Sequence, residues 1–397
     1  METVRFGIIG CGMMGREFAS AAARWCHLPE MKVRPEIVAI CDANPAQMNW
    51  FTANFPTIRK ATTEYRELLA DPGVQGVYCP VPHNLHQQLY CDTISAGKHL
   101  MGEKPFGIDK PANDAINACI AAHPGAFVRC SSEFPFFPAA QRIGKMVQAE
   151  AFGRIIEVNS GLLHSSDLDP DKPINWKRLI QYNGEYGCMG DLGMHACHFP
   201  FRAGWRPRNV RALLSNIVTA RPDGSGSRVP CETWDNATLF CEALDPQSGE
   251  GFPLTLKTHR IAPGETNTWY IEVLGTKASA RFSTKNPRRL DVLEYRVREG
   301  VQERPPAGME RGGAHQQIWG QIDTGQEAAF RSITGAIFEF GFSDAILQMW
   351  AAFLYELSNG RPLGRFAACA TPQEAAMSHR LFTAALESHK TRTTVRL

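Results

Sequence analysis

Four groups of residues in this 397-residue chain have types and spacings suited to chemistry. Gly10-Cys-Gly-Met-Met-Gly15 follows the apolar run Val4–Ile9 and opens an Ala-rich, helix-compatible segment. In such a turn Gly10 permits the bend, Gly12 lets a pyrophosphate approach the backbone, and Gly15 lets the helix pack on the strand. The helix start adds free N–H groups and a positive dipole. Asp42 ends the next apolar run, Ile37–Cys41, a little beyond the usual spacing of about 20 residues for an acid that takes a ribose hydroxyl. Turn and acid together imply a dinucleotide site. Glu103-Lys104-Pro105 places an amine where a proline ends a third apolar run. Asp191 and His195, four apart, share one face of a helix, and imidazole is the natural proton shuttle near neutral pH. On spacing alone each has a plainer alternative: Lys104 as a surface lysine bridged to Glu103, Asp191 as a helix cap, His195 as a core residue.

To position these residues, the first third of the chain alternates short apolar runs with helix-compatible segments. Strands are expected at 4–9, 37–41, 76–79, 99–103 and 126–130, with helices after each of the first four; Asn44-Pro45 starts one of them. Alternation of this kind predicts βαβ units, a parallel sheet and helices on both its faces. Ligands bind outside the carboxyl ends of such strands, so Gly10–Gly15, Asp42, Pro80–Pro82 and Glu103–Lys104 are expected to face one crevice. Near residue 130 the pattern changes. A helix from Pro138 leads to a strand at 153–163, a polar loop at 165–175 and a helix carrying Asp191 and His195. Successive strands follow between 210 and 294, which predicts a mostly antiparallel sheet. Residues 296–325 read as a long surface loop, 342–359 and 372–389 as helices. The expected domains are 1–132, a Rossmann-type dinucleotide-binding domain, and 133–397, an α+β domain on a large open sheet for substrate and oligomer contacts.

Bulk composition narrows the function. With 44% apolar and 21% charged residues the chain is ordinary for a globular protein. A net charge of +2 gives no electrostatic case for nucleic acid or an anionic membrane. No apolar run approaches the roughly 18 residues of a membrane span, and a strand by residue 4 leaves no room for a signal peptide. The twelve cysteines include no Cys-x-x-Cys, and most fall in apolar segments, so they read as small core residues in a reducing compartment. The expectation is a cytoplasmic protein.

Gly10-Cys-Gly-Met-Met-Gly15, Asp42, Pro82-His-Asn-Leu-His86, Glu103-Lys-Pro105 and Gly187-Cys-Met-Gly-Asp-Leu-Gly-Met-His195 together resemble the glucose-fructose oxidoreductase, inositol dehydrogenase and rhizopine catabolism family (Gfo/Idh/MocA). The resemblance runs through the whole chain. It implies an NAD(P)-dependent dehydrogenase acting on a secondary hydroxyl of a sugar, glycoside or polyol. Lys104 is then the catalytic residue, with its pKa lowered by burial and the nicotinamide. Asp191 and His195 are its substrate-binding and proton-transfer partners, the carboxylate raising the basicity of the imidazole. The cofactor is expected to touch Gly10, Gly12, Met13, Met14, Gly15, Asp42, Pro80, Pro82, Asn84, His86, Glu103 and Lys104. Asp42, with no Arg in Ala43-Asn44, favours NAD over NADP. Glu133 departs from the Arg or Tyr common after the sixth strand in relatives; with Trp176, Lys177 and Tyr186 it is expected to line the substrate pocket, while Lys177 and Arg178 count against a purely neutral substrate. His195 and His198 lack a placed third ligand, so no metal is expected. A homodimer or homotetramer is the expected assembly. A rival reading would use these same residues, an NAD-retaining enzyme that cleaves glycosides through transient oxidation; a second rival, a non-catalytic NAD-binding sensor, has no need for the complete relay of Glu103, Lys104, Asp191 and His195.

Overall fold

The computed structural model describes residues 1–297, 315–325 and 327–397. The first half alternates as expected: β1 (Glu2–Ile9), α1 (Met13–Ala23), β2 (Val33–Cys41), α2 (Asn49–Asn54), β3 (Lys60–Thr62), α3 (Tyr65–Leu69), β4 (Gly76–Cys79), α4 (His86–Ser95), β5 (His99–Gly102), α5 (Lys110–Ala122) and β6 (Val128–Cys130). The strands form one parallel sheet in the order β3-β2-β1-β4-β5-β6. Its order reverses between β1 and β4, which opens the crevice at their carboxyl ends. Asn44 caps the turn Pro45–Met48 by accepting from Ala46 N, as its position before proline suggests.

The second half contains α6 (Pro138–Gln148), β7 (Ile155–Leu163), α7 (Ile180–Asn183), α8 (Cys188–Ala203), β8 (Arg206–Ser215), β9 (Ala220–Pro222), β10 (Arg228–Pro230), β11 (Asn236–Leu244), β12 (Gly251–His259), β13 (Thr268–Gly275), β14 (Ala278–Ser283), β15 (Arg289–Val297), β16 (His315–Asp323), α9 (Phe342–Asn359), α10 (Pro372–Thr391) and β17 (Val395–Arg396). Nine strands make a sheet in the order β16-β15-β14-β13-β7-β12-β11-β8-β17. Every pair in it is antiparallel except β7 with β12. The expected loop at 296–325 needs correction, since 315–323 is a strand paired along its length with 289–297; the Pro305-Pro306 and Gly312-Gly313 stretch of that expectation lies outside the described residues. The period-2 signal of β16 is weak, with polar Gln316, Gln317 and Gln321 between apolar residues.

Two helices fix the halves together. α8 lies buried under the second sheet, its Met189, Leu192, Ala196 and Phe199 in the same core as Leu254, Leu256 and Val158. α9 comes from the far end of the chain yet packs on the parallel sheet: Trp350 stacks on Phe18 at 3.7 Å and meets Phe6 and Tyr78 edge-on. No helix among the described residues is long and apolar enough to cross a membrane.

Candidate active site

The turn after β1 is shaped for close backbone approach. Gly10 has φ +106°, and a Cβ there would stand 2.6 Å from the Pro80 carbonyl oxygen. Gly12 has open space where its Cβ would be. α1 begins beside it with no side-chain cap, so its first N–H groups are unclaimed by side chains. Asp42 is locked to this turn: Oδ2 accepts from Cys11 N at 2.7 Å and Oδ1 from Asn44 N at 2.8 Å. Met13 is exposed at the helix start and Met14 half-buried. These features fit a dinucleotide: an anion-accepting helix end, a cradle without side chains, and a carboxylate at the end of β2 for a ribose hydroxyl.

From Pro80 to His86 the residues diverge. Pro80 and Pro82 are half-buried, Pro80 beside Gly10, and Asn84 is exposed. His86 is buried and turned inward. Its Nε2 contacts the Val81 carbonyl, its Nδ1 accepts from Gly107 N, and its ring stacks on Tyr90. It holds the turn in place rather than facing the crevice. His83 points the other way: Nδ1 lies 3.3 Å from the Asn183 carbonyl and Nε2 3.9 Å from Asp191 Oδ1.

Asp191 is the hub. Although the carboxylate is buried, Lys104 Nζ donates to its Oδ1 at 2.8 Å and to its backbone oxygen at 2.7 Å. Lys177 Nζ reaches Oδ2 at 3.1 Å and Arg260 NH2 reaches the same oxygen at 2.8 Å. Burial alone would raise the pKa of this carboxyl, but Lys104, Lys177 and Arg260 outweigh it and hold Asp191 far below the ordinary carboxylate range. The same contacts overturn the expected lowering at Lys104. Burial opposes its charge, yet Asp191, Glu103 and Glu133 prevail and keep the ammonium above the ordinary lysine range. Lys177 moves the other way, lowered by burial and by Lys104 and Arg260 against the pull of Asp191. Glu103 is fixed beneath, its Oε1 accepting from the Tyr78 hydroxyl at 2.5 Å.

His195 lies on the same helix but pairs differently from the expectation. Its Nδ1 is 3.3 Å from Ser132 Oγ and 4.0 Å from Glu133 Oε2, and Nε2 has no hydrogen-bond partner among the described residues. Burial and the Lys104 charge lower its pKa well below the usual value despite Asp191, so it is neutral at physiological pH. Phe134 packs edge-on against the imidazole. Trp176 stands edge-on to His83 and flanks Lys177. Tyr186 is not brought in: its ring is buried against Phe382, and its hydroxyl bonds Thr383 at 2.7 Å. Arg178 is wholly buried and paired with Asp235. His198 is buried and separate, and no three His, Cys, Asp or Glu side chains converge as a metal set among the described residues.

His83, Arg260, Ser132 and Tyr78 carry no mark in the sequence that singles them out, apart from the placing of His83 within Pro82–His86. Arg260 follows β12 directly and is delivered to Asp191 only by sheet pairing.

Residues 4–124 match the model of the oxidoreductase family with an NAD-binding Rossmann fold. That stretch thus resembles the NAD-binding half of the Gfo/Idh/MocA oxidoreductases. The chain is 25% identical over 313 residues to levoglucosan dehydrogenase of Pseudarthrobacter phenanthrenivorans, spanning 74% of this chain and 76% of that one. It is also 25% identical over 224 residues to trans-1,2-dihydrobenzene-1,2-diol dehydrogenase of Sus scrofa, spanning 55% and 62%. The fold matches a solved levoglucosan dehydrogenase in complex with NADH and L-sorbose, with a TM-score of 0.84, 19% identity and coverage of 100% and 99%.

Proposed function

We propose that this protein oxidises a secondary hydroxyl of a sugar, glycoside or polyol. Within the family's NAD-binding fold, residues 10–15, Asp42 and Glu103 would hold the dinucleotide, and the cofactor supplies a hydride acceptor there. The Asp191 carboxylate, clamped at the substrate end by Lys104, Lys177 and Arg260, carries the reading. A buried carboxylate so heavily paired is a rigid platform whose cations present N–H donors to an incoming oxygen.

Lys104, held as an ammonium, orients the substrate hydroxyl and stabilises oxygen as charge develops on it. His195, neutral with Nε2 free, accepts the hydroxyl proton while hydride leaves carbon. The product is a ketone. In reverse the His195 imidazolium returns its proton to the oxygen while the Lys104 ammonium keeps its hydrogen bond to it. A carboxylate at Asp42 disfavours a 2′-phosphate, so NAD is preferred over NADP. The outer face of the second sheet exposes Leu213 and Phe240 on neighbouring strands, which a second copy of the chain would cover.

The test is reduced-nicotinamide absorbance with NAD+ or NADP+ and a panel of sugars, glycosides and polyols. Turnover with NAD+ supports the reading. Sugar release without accumulating NADH indicates redox-assisted glycoside cleavage instead, and cofactor binding with no reaction indicates a sensor.

A further inference from the structure

Asp191 carries more cations than its own charge calls for. Lys177 and Arg260 meet at one of its oxygens, Oδ2, at 3.1 and 2.8 Å, and Lys104 holds the other at 2.8 Å. One partner neutralises a carboxylate, and each further cation taken out of water costs desolvation that a shared anion offsets only in part. The other acids of this region are engaged. Asp167 accepts from Lys172 at 3.2 Å and stands 3.9 Å from Arg260, outside hydrogen-bond range. Asp235 pairs with Arg178, and Glu103, next to Lys104 in the chain, accepts from the Tyr78 hydroxyl. Setting Glu103 against Lys104 leaves Lys177 and Arg260 to share Asp191, with positive charge in excess. Burial lowers the Lys177 pKa, and Lys104 and Arg260 add to that against the pull of Asp191, so the crowding is felt at this amine.

Hydrogen-bond donors are in excess as well. Of the five N–H groups of Arg260 only one, on NH2, has an acceptor among the described residues, although the side chain is 4% accessible and its Nε is sealed from solvent. Lys177 spends one of its three N–H groups on Asp191, and the described residues place no acceptor for the other two. At 37% it is the most accessible of the three cations, with Trp176 beside it. Spare donors and spare positive charge at one place are what a carboxylate satisfies and a hydroxyl does not. Resting on the dehydrogenase reading above, we propose that the substrate is a sugar acid, whose carboxylate is taken by the Lys177 ammonium while Arg260 lends charge from the same Asp191 oxygen. The reacting hydroxyl meets Lys104 and His195. Lys177 thus selects the substrate by charge, at a point on the molecule away from the bond that changes.

Matched pairs test this: D-glucuronate with D-glucose, D-gluconate with D-glucitol, and D-galacturonate with D-galactose, each titrated by calorimetry into the NADH-bound protein. The acid of at least one pair is expected to bind about 10- to 100-fold more tightly than its neutral partner, the gain from a charge-assisted hydrogen bond. Lys177→Met is expected to close that gap to within about threefold, and Lys177→Arg to keep it. Lys177→Gln gives the same reading should the Met variant not fold, and the native comparison needs no variant. Equal affinities in every pair, tighter binding of the neutral members, no binding by any acid, or a gap that survives in Lys177→Met overturns the proposal. Turnover of a neutral sugar with no acid preferred overturns it and leaves the dehydrogenase reading standing. Failure to bind NADH overturns both.

Discussion

The two ends of the crevice are built on different principles. At the Gly10–Gly15 end the recognising groups belong to the backbone, and the side chains mainly stay out of the way. At the Asp191 end the side chains do everything, drawn from residues 83 to 260 and from both sheets. At the first end Gly10 and Gly15 tolerate no added volume. The second tolerates no loss of charge, because its cations and its carboxylate were desolvated together.

The largest effect is expected where that charge balance is broken. Asp191→Ala leaves Lys104, Lys177 and Arg260 without their shared anion, which is expected to cost about 3–5 kcal/mol of stability as well as turnover; chemical denaturation reads the first. Asp191→Ala with native stability would show that the cations do not depend on this carboxylate.

A pair outside the crevice calibrates that figure. Arg202 on α8 and Glu374 on α10 meet in a bidentate ion pair at 2.7 Å. Burial would raise the Glu374 pKa, but the Arg202 hydrogen bonds bring it down to about 2. The folded pKa is depressed, so the pair's contribution, roughly 3 kcal/mol, is complete above the unfolded value near 4.3 and is lost as pH falls towards 2. Denaturation between pH 6 and 2 checks it, with Glu374→Gln expected to flatten the decline.

At the other end, Gly10→Ala sets a Cβ 2.6 Å from the Pro80 oxygen at φ +106°. Strain of about 1–3 kcal/mol predicts NAD+ affinity weakened by roughly 10- to 100-fold, read by calorimetry. The smallest effect is expected at Lys177, the most exposed of the three cations on Asp191, with 37% of its side chain accessible. Lys177→Met is expected to lower kcat/KM by about tenfold and leave NAD+ binding unchanged. A larger loss than at Lys104 would reverse the order of the two amines.

The same contrast explains what was legible beforehand. A backbone-built site needs contiguous residues, so Gly10-x-Gly-x-x-Gly15 and the strand ending at Asp42 spelled it out, together with the alternation that makes the parallel sheet. The strand-end rule also placed Glu103 and Lys104. The Asp191 end was legible only in part. Asp191 and His195 were visible as a pair on one helix, with Lys104 as their partner and Lys177 and Glu133 close by, but Arg260 and Ser132 were not. Arg260 arrives through the pairing of β12 with β7, and Ser132 through the turn after β6, neither of which leaves a local pattern. Tyr186 and His86 sat in the right segments and face the wrong way, because neighbouring residues in a turn or helix point in different directions. The Lys104 ammonium defied the expectation of a lowered pKa because burial was weighed without the carboxylates around it.

Lys104 carries the proposed chemistry most directly, and one measurement reaches it: steady-state turnover and NAD+ affinity of Lys104→Met beside the native protein, on a substrate that the panel identifies. Loss of an oxygen-orienting ammonium predicts kcat reduced by roughly 10²- to 10⁴-fold, with NAD+ affinity within tenfold of native. A variant that turns over normally would contradict the placing of the reaction at the Lys104–Asp191 pair.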